Sequence, residues 1–422
     1  MFVRVFALVG ALLGVLPGWT EPGRAQTPGG PAKLTLAEAL ALAEGNNPQL
    51  RAAMATTEGA RAGIVTARAY PNPEVNVMEG GQHSRLASTG PGAPGLLQHY
   101  SFHQPIDLPR HREARINTAE LRYNATEYGL DEARLAVRAA VKQTFYQALQ
   151  RREEVVLAEE NVKLIEDFRR RIQVQVEVGE AARLELTRAE AEVATAVTLE
   201  RAAQLRLLTA LAELRTVVSA PLPPNLELVG ELDPAQAMPA LDDLRKTVLS
   251  RHPSISQSQA EVRRAEAQLR TERVLRVPAP AVHAEYEQQP DLRFYRFGIS
   301  VPVPLWNRRE GPIGEATAAV NQARAYADLL RLRLTAQLER AYGQWEVATQ
   351  QVEMYETGVL REAEAALRAA EAAYKFGERG IVEVLDAQRV LRAVRTDFLN
   401  ARFDRQAGLV ELERLRAVEL QP

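Results

Sequence analysis

The chain of 422 residues contains no cysteine. That excludes a disulfide framework, a thiolate metal site and an acylated cysteine anchor. Charge of one sign is lacking too: 52 basic residues stand against 54 acidic ones, a formal net charge of -2. No nucleic acid partner is expected on that balance, and little attraction to acidic lipid. Long apolar runs are missing; the longest, Val5 to Leu16, falls short of the roughly 20 residues a membrane-crossing helix needs. No serine stands in a recognisable nucleophile and base arrangement, so neither catalysis nor a cofactor is expected. Proline is absent from 110–220 and from 313–421, and glycine is sparse in both stretches.

What is present begins with a leader. Arg4, the apolar run, Pro17-Gly18 and the small-residue stretch Gly23-Arg24-Ala25 form a secretory signal peptide over residues 1–25, cleaved after Ala25. The two proline-free stretches are rich in Ala, Leu, Glu, Arg and Gln, the strong helix formers. Proline breaks helices by removing a donor and clashing with the preceding turn, so its clusters mark the boundaries. The expected organisation is an N-terminal linker and first helix (26–69), a strand pair (70–109), a long helical hairpin turning near 179 (110–215) and a proline-rich segment (216–240). A helix (241–277), a second strand pair (278–311), a second long hairpin turning near 377 (312–416) and a short tail (417–422) follow.

The two halves repeat. Leu36-Ala37-Glu38-Ala39-Leu40 leading to Asn47-Pro48 is echoed by Leu241-Asp242-Asp243-Leu244 leading to His252-Pro253. Pro71-Asn72-Pro73 answers to Pro278-Ala279-Pro280, and Val178-Gly179-Glu180 to Phe376-Gly377-Glu378. A duplication of about 200 residues accounts for these matches. His111 to Val178 and Pro312 to Phe376 each read as one helix of roughly 100 Å, longer than a globular domain requires. Along the second, Ala327, Leu330, Leu334, Leu338, Ala341, Trp345, Ala348, Val352, Tyr355 and Val359 recur at spacings of three and four, the pattern of knobs-into-holes packing.

The strand pairs carry the more specific signal. Val75 and Val77, Tyr100 and Phe102, Val282, Ala284 and Tyr286, and Tyr295, Phe297, Ile299, Val301 and Val303 occupy alternate positions, as on strands with one apolar face. Four such strands leave two open edges, and unpaired backbone groups cost several kcal/mol each in hydrocarbon. Closure in a membrane would therefore require several copies of the chain.

This pattern resembles the TolC family of outer-membrane efflux proteins over nearly the whole mature chain. Tyr374-Lys375-Phe376-Gly377-Glu378-Arg379-Gly380 through Ala387 is similar to the family's second periplasmic turn, and Val178 through Glu185 is a looser match to the first. Gln104-Pro105-Ile106-Asp107-Leu108 and Val301-Pro302-Val303-Pro304-Leu305-Trp306-Asn307-Arg308 resemble junctions of its heavy-metal (cobalt-zinc-cadmium type) branch. The resemblance implies a mainly α fold with a transmembrane β-barrel: a homotrimer with a twelve-stranded barrel in outer-membrane lipid and a twelve-helix periplasmic tunnel. It implies a passive duct for metal cations or drugs in a tripartite pump, partnered by a periplasmic adaptor and an inner-membrane transporter. It further implies a closed tip bridged by Tyr374, Arg379 and Glu185, lumen-facing acidic rings at Glu383 and Asp386, and adaptor docking around Gly179 and Gly377. Glu383 departs from the aspartate of the family pattern. A protein secretion duct shares this architecture, and a pore-less coiled-coil scaffold is the rival from another class.

Two signals are set aside. Gly90-Pro91-Gly92-Ala93-Pro94-Gly95 fits a dinucleotide pattern formally, but two prolines sit inside it and it reads as an extracellular loop. His83, His99, His103 and His111 cluster around the first strand pair; extended spacing scatters them and no carboxylate or cysteine completes a set, so no metal site is expected.

Overall fold

The computed structural model describes residues 32–83, 94–223, 225–232 and 238–417. The expected leader, most of the Gly90 to Gly95 loop and most of the tail fall outside them. Strand β1 (Ala32–Thr35) runs directly into helix α1 (Leu36–Asn46). The Thr35 hydroxyl accepts from the Glu38 N–H while the Glu38 carboxylate accepts from the Thr35 N–H, so two orphan donors at the helix start are satisfied reciprocally. Asn47 then interrupts the helix before α2 (Pro48–Arg68). A residue preceding proline avoids the helical region, and Asn47 is extended, with φ -65° and ψ 125°. Its side chain accepts from the Gln49 N–H at 2.8 Å and donates to the Val217 carbonyl at 2.9 Å.

The chain continues through β2 (Glu74–Gln82), β3 (Gly95–Pro105), the 69-residue helix α3 (Pro109–Glu177), α4 (Arg183–Val218) and β4 (Leu226–Val229). The second half repeats the order with α5 (Leu241–Arg251) and α6 (Pro253–Val274), where His252 replaces Asn47. His252 is also extended, and its Nδ1 accepts from the Ser254 N–H at 3.2 Å. The duplication therefore extends to capping chemistry. Strands β5 (Ala281–Gln288) and β6 (Arg293–Ser300) follow, then helix α7 (Glu310–Met354), helix α8 (Leu360–Lys375) and helix α9 (Ile381–Arg416).

Three features depart from expectation. The helix expected to be continuous from Pro312 to Phe376 is interrupted by a π turn at Tyr355–Val359. Within it the Thr357 hydroxyl donates back to the Glu353 carbonyl at 2.7 Å and Gly358 contributes no side chain; such back-bonding and glycine both loosen the helical ladder. No proline marks the place, and the apolar periodicity runs straight through it. Strand β6 ends at Ser300 although the alternation runs on to Val303, because Pro302 and Pro304 cannot donate to a ladder. Third, β1 and β4 form a parallel pair with Leu34 opposite Leu228, where a linker and an irregular segment are expected. Both leucines are buried in a core with Phe145 and Leu149 of α3 and Leu214 of α4.

The remaining core follows the helices. One cluster joins α5 to α7 and α9 through Leu244, Val248, Leu334, Leu338, Leu412 and Leu415. Another sits toward the far turns, where Phe168, Ile172, Ala189, Leu367, Ile381 and Val384 interlock. Among the described residues no helix is long and apolar enough to cross a membrane.

The other strands form one antiparallel sheet in the order β2-β3-β5-β6. Its register places Val77, Tyr100, Tyr286 and Tyr295 in one row and Val75, Phe102, Ala284 and Phe297 in the next. The alternating apolar positions read from the sequence thus fall on a single face, while Met78, Leu97 and Phe294 lie on the other. The first face is open: Phe297 is 84% exposed and Ile299 is 72% exposed. The outer edges of β2 and β6 have no strand beside them among the described residues.

Candidate functional site

Two regions gather the expected residues: the hairpin turns at the far end of the helices and the polar face of the sheet. The turns are built alike. After α3 the chain reverses at Gly179, with φ +83°, and after α8 at Gly377, with φ +73°. The Glu180 N–H reaches the Gln175 carbonyl and the Gly179 N–H that of Val176; Glu378 and Gly377 do the same to Ala373 and Tyr374. This is the paired termination that satisfies the last helix carbonyls, and it needs a left-handed residue that glycine adopts without strain.

Between the turns, the Tyr374 hydroxyl lies 2.9 Å from Glu185 Oε2 and 3.1 Å from Gln175 Oε1. Its single proton is shared between two acceptors, tying α8 to α4 and α3. The ring packs edge-on against Phe168, with centroids 5.8 Å apart. Burial, and then the Glu185 carboxylate, push the phenol up to about 12, since both disfavour a second negative charge. The structure brings Tyr374 and Glu185 together but does not bring Arg379 to them. Arg379 is exposed in the turn before α9, and its guanidinium has no side-chain partner among the described residues.

Glu383 and Asp386 lie on the first turns of α9, exposed, on the face opposite the buried Ile381, Val384 and Leu385. At a spacing of three they are neighbours on one helical stripe. One charged group nearby lies outside the expected set. Glu192 is only 5% exposed and accepts from Arg389 at 2.6 and 3.4 Å, with Arg392 at 3.7 Å. Its signal is present in the sequence: Glu192 interrupts the buried alanine stripe of α4 between Ala189 and Ala196, and a charge on such a stripe requires a partner.

The sheet's second face carries Glu74, Asn76, His99, Ser101, His103, His283, Glu285, Glu287 and Arg296. Arg296 bridges Glu285 and Glu287 at 3.5 and 2.9 Å. The histidines are not all scattered, as their spacing suggests. His103 has a neighbour, because the β3–β5 register sets it opposite His283. Pairing the end of one strand, Pro105, with the start of the other, Ala281, would have found the partner; composition along one strand could not. His99 lies further along β3, opposite Glu287, and His111 in the first turn of α3.

Comparison with known proteins agrees with this geometry. Residues 39–220 and 244–417, both halves of the repeat, match the outer membrane efflux protein family. The chain is similar to the cobalt-zinc-cadmium resistance protein CzcC of Cupriavidus metallidurans, at 29% identity over 370 residues, covering 87% of this chain and 86% of that one. It is also similar to the nickel-cobalt-cadmium resistance protein NccC of Alcaligenes xylosoxydans xylosoxydans, at 26% identity over 319 residues, covering 74% and 70%. Its fold superposes on that of CusC, a protein described as forming a transmembrane channel, with a TM-score of 0.76 at 18% identity over 96% of this chain and 99% of that one. On the matched halves, the chain belongs to the outer membrane efflux protein family, and it shares its fold with CusC.

Proposed function

We propose that the chain is one protomer of a homotrimeric duct that passes metal cations from the periplasm to the exterior. The observation that carries the reading is the four-stranded sheet, with its alternating apolar positions on one face, the histidines and most of the acidic side chains on the other and, among the described residues, no strand beside the outer edges of β2 and β6. Strands of 8 to 11 residues suit a tilted membrane crossing. With four antiparallel strands per chain, β6 of one copy meets β2 of the next in the antiparallel sense, so copies close without a parallel seam. Three copies give the twelve-stranded barrel that the family resemblance implies, with the α3–α4 and α7–α9 hairpins continuing it as a tunnel of twelve helices. In that arrangement the boundaries near 70–109 and 278–311 enclose the membrane portion.

Two observations support metal cations as the cargo: the relatives are named as metal resistance proteins, and α9 carries an exposed acidic stripe. Threefold repetition of Glu383 and Asp386 makes stacked carboxylate rings, which favour cations. The duct does no chemistry. A periplasmic adaptor docks at the turns around Gly179 and Gly377 and joins it to an inner-membrane transporter, and the Tyr374–Glu185 bond, with Arg379 reaching a neighbouring chain, holds the tip closed until then. Deleting the chain and measuring growth on zinc, cobalt, cadmium and a drug panel tests the reading. Sensitivity confined to the metals supports it, and unchanged metal tolerance contradicts it.

A further inference from the structure

The geometry points to a metal-cation site on the lumen face of the sheet, formed by His103 and His283. The inference rests on the duct reading for its cargo, yet its observations are separate. His103 Nδ1 and His283 Nδ1 lie 3.0 Å apart, with ring centroids at 4.4 Å and planes tilted by 50°. Two neutral imidazoles cannot approach so closely through bare lone pairs; one proton sits between the two nitrogens. Two lone pairs at this separation also suit one shared ion. Nitrogen ligands about 2.1 Å from a metal stand about 3 Å apart at a right angle and about 3.4 Å apart at the tetrahedral angle of zinc, so a small parting of the rings admits the ion.

The surroundings favour a cation. His283 Nε2 lies 2.5 Å from Ser300 Oγ, an outer contact of the kind that orients a ligating histidine and fixes which ring nitrogen faces the metal. Glu74 stands opposite His103 in the β2–β3 register, and Gly298 opposite His283 in the β5–β6 register. The first adds negative charge to the row, and the second leaves open space beside the pair. Among the described residues no group of three His, Cys, Asp or Glu side chains converges on a metal position. The site is therefore a two-imidazole station whose remaining positions fall to water, as a duct requires of a place that ions must leave. Imidazole selects zinc, copper, nickel and cobalt over magnesium and calcium. On binding, the proton between the rings moves to His103 Nε2 through solvent, so both Nδ1 lone pairs face the ion and both rings stay neutral. The pair lies near the helix end of the strands, since Pro105 and Ala281 close the ladder there, and in a trimer three pairs ring the lumen at one level.

The test is calorimetric titration of zinc chloride into the full-length mature protein, purified in detergent with a tag that carries no histidine. The wild type is expected to bind about one zinc per chain, and His103→Gln and His283→Gln each to weaken binding roughly tenfold or more. Ser300→Ala should weaken it less, and His99→Gln, on the same face but outside the pair, should leave it unchanged. Retention of the heat-resistant oligomer shows that each variant folds; if one glutamine variant does not, the other and Ser300→Ala decide. No zinc binding by the wild type, equal binding by the folded variants, or an equal loss in His99→Gln overturns the site. The deletion experiment fails separately: unchanged metal tolerance would remove the cargo while zinc lost on His103→Gln still marked a binding site.

Discussion

The Tyr374 hydroxyl donates to Glu185 Oε2 at 2.9 Å across the two hairpins of one chain, beside turns that share one hydrogen-bonding pattern. A hydrogen bond to a carboxylate contributes about 1.5–3 kcal/mol, enough to bias a closed tip and little enough for a docking partner to offset. Tyr374→Phe keeps the ring against Phe168 and removes only the bond. Conductance in planar bilayers should rise severalfold, and unchanged conductance would show that this contact does not hold the gate.

The same bond has a pH signature. The folded-state phenol is raised to about 12 from an ordinary value of about 10, so its neutral form is stabilised by folding. That contribution is fully present below pH 10 and disappears as pH rises from about 10 to about 12. A hydrogen bond to Glu127 also raises the Tyr123 phenol, so ultraviolet titration of tyrosinate should show more than one late-ionising phenol in the wild type and one fewer in Tyr374→Phe.

The turns make a stability prediction. Gly377 holds φ +73°, and a Cβ added there would meet nothing within 4 Å, so the penalty of a side chain is conformational and not steric. Gly377→Ala should destabilise the tip by about 1–2 kcal/mol, read as a lower melting temperature by circular dichroism. An unchanged temperature would mean that the turn relaxes freely.

Glu383 and Asp386 leave the hairpin core on the exposed face of α9. The double substitution Glu383→Gln with Asp386→Asn should shift the reversal potential in a potassium chloride gradient toward zero, since the ring charge is removed. A retained cation preference would place selectivity elsewhere, the His103 row and Glu74 being the next candidates.

Much of this was legible in the residues because helix-breaking and helix-forming chemistry is local. Pro48, Pro109 and Pro253 each occupy the first turn of a helix, where a missing N–H costs nothing, and strand alternation located the apolar face from Val75 to Ile299. What escaped depends on pairing. The β1–β4 strands are four residues each and acquire meaning only beside each other. His283 acquires its role only from the register that sets it against His103; Glu192 stands out on the alanine stripe of α4, but the partner that it needs, Arg389, lies 197 residues away. The π turn escaped for the opposite reason: it is local, but Thr357 and Gly358 are ordinary helix residues until their hydrogen bonds are known.

The central claim is that β2 and β6, open in one chain, are joined between copies in the membrane. Because the chain has no cysteine, disulfide trapping has no background. Val77→Cys on β2 combined in turn with cysteine at each position from Phe294 to Ile299 on β6 should, at one register where the Cα atoms lie within about 4.4–6.8 Å, yield a covalent species of three chains on non-reducing gels of outer membranes. Only single chains at every position would contradict the account.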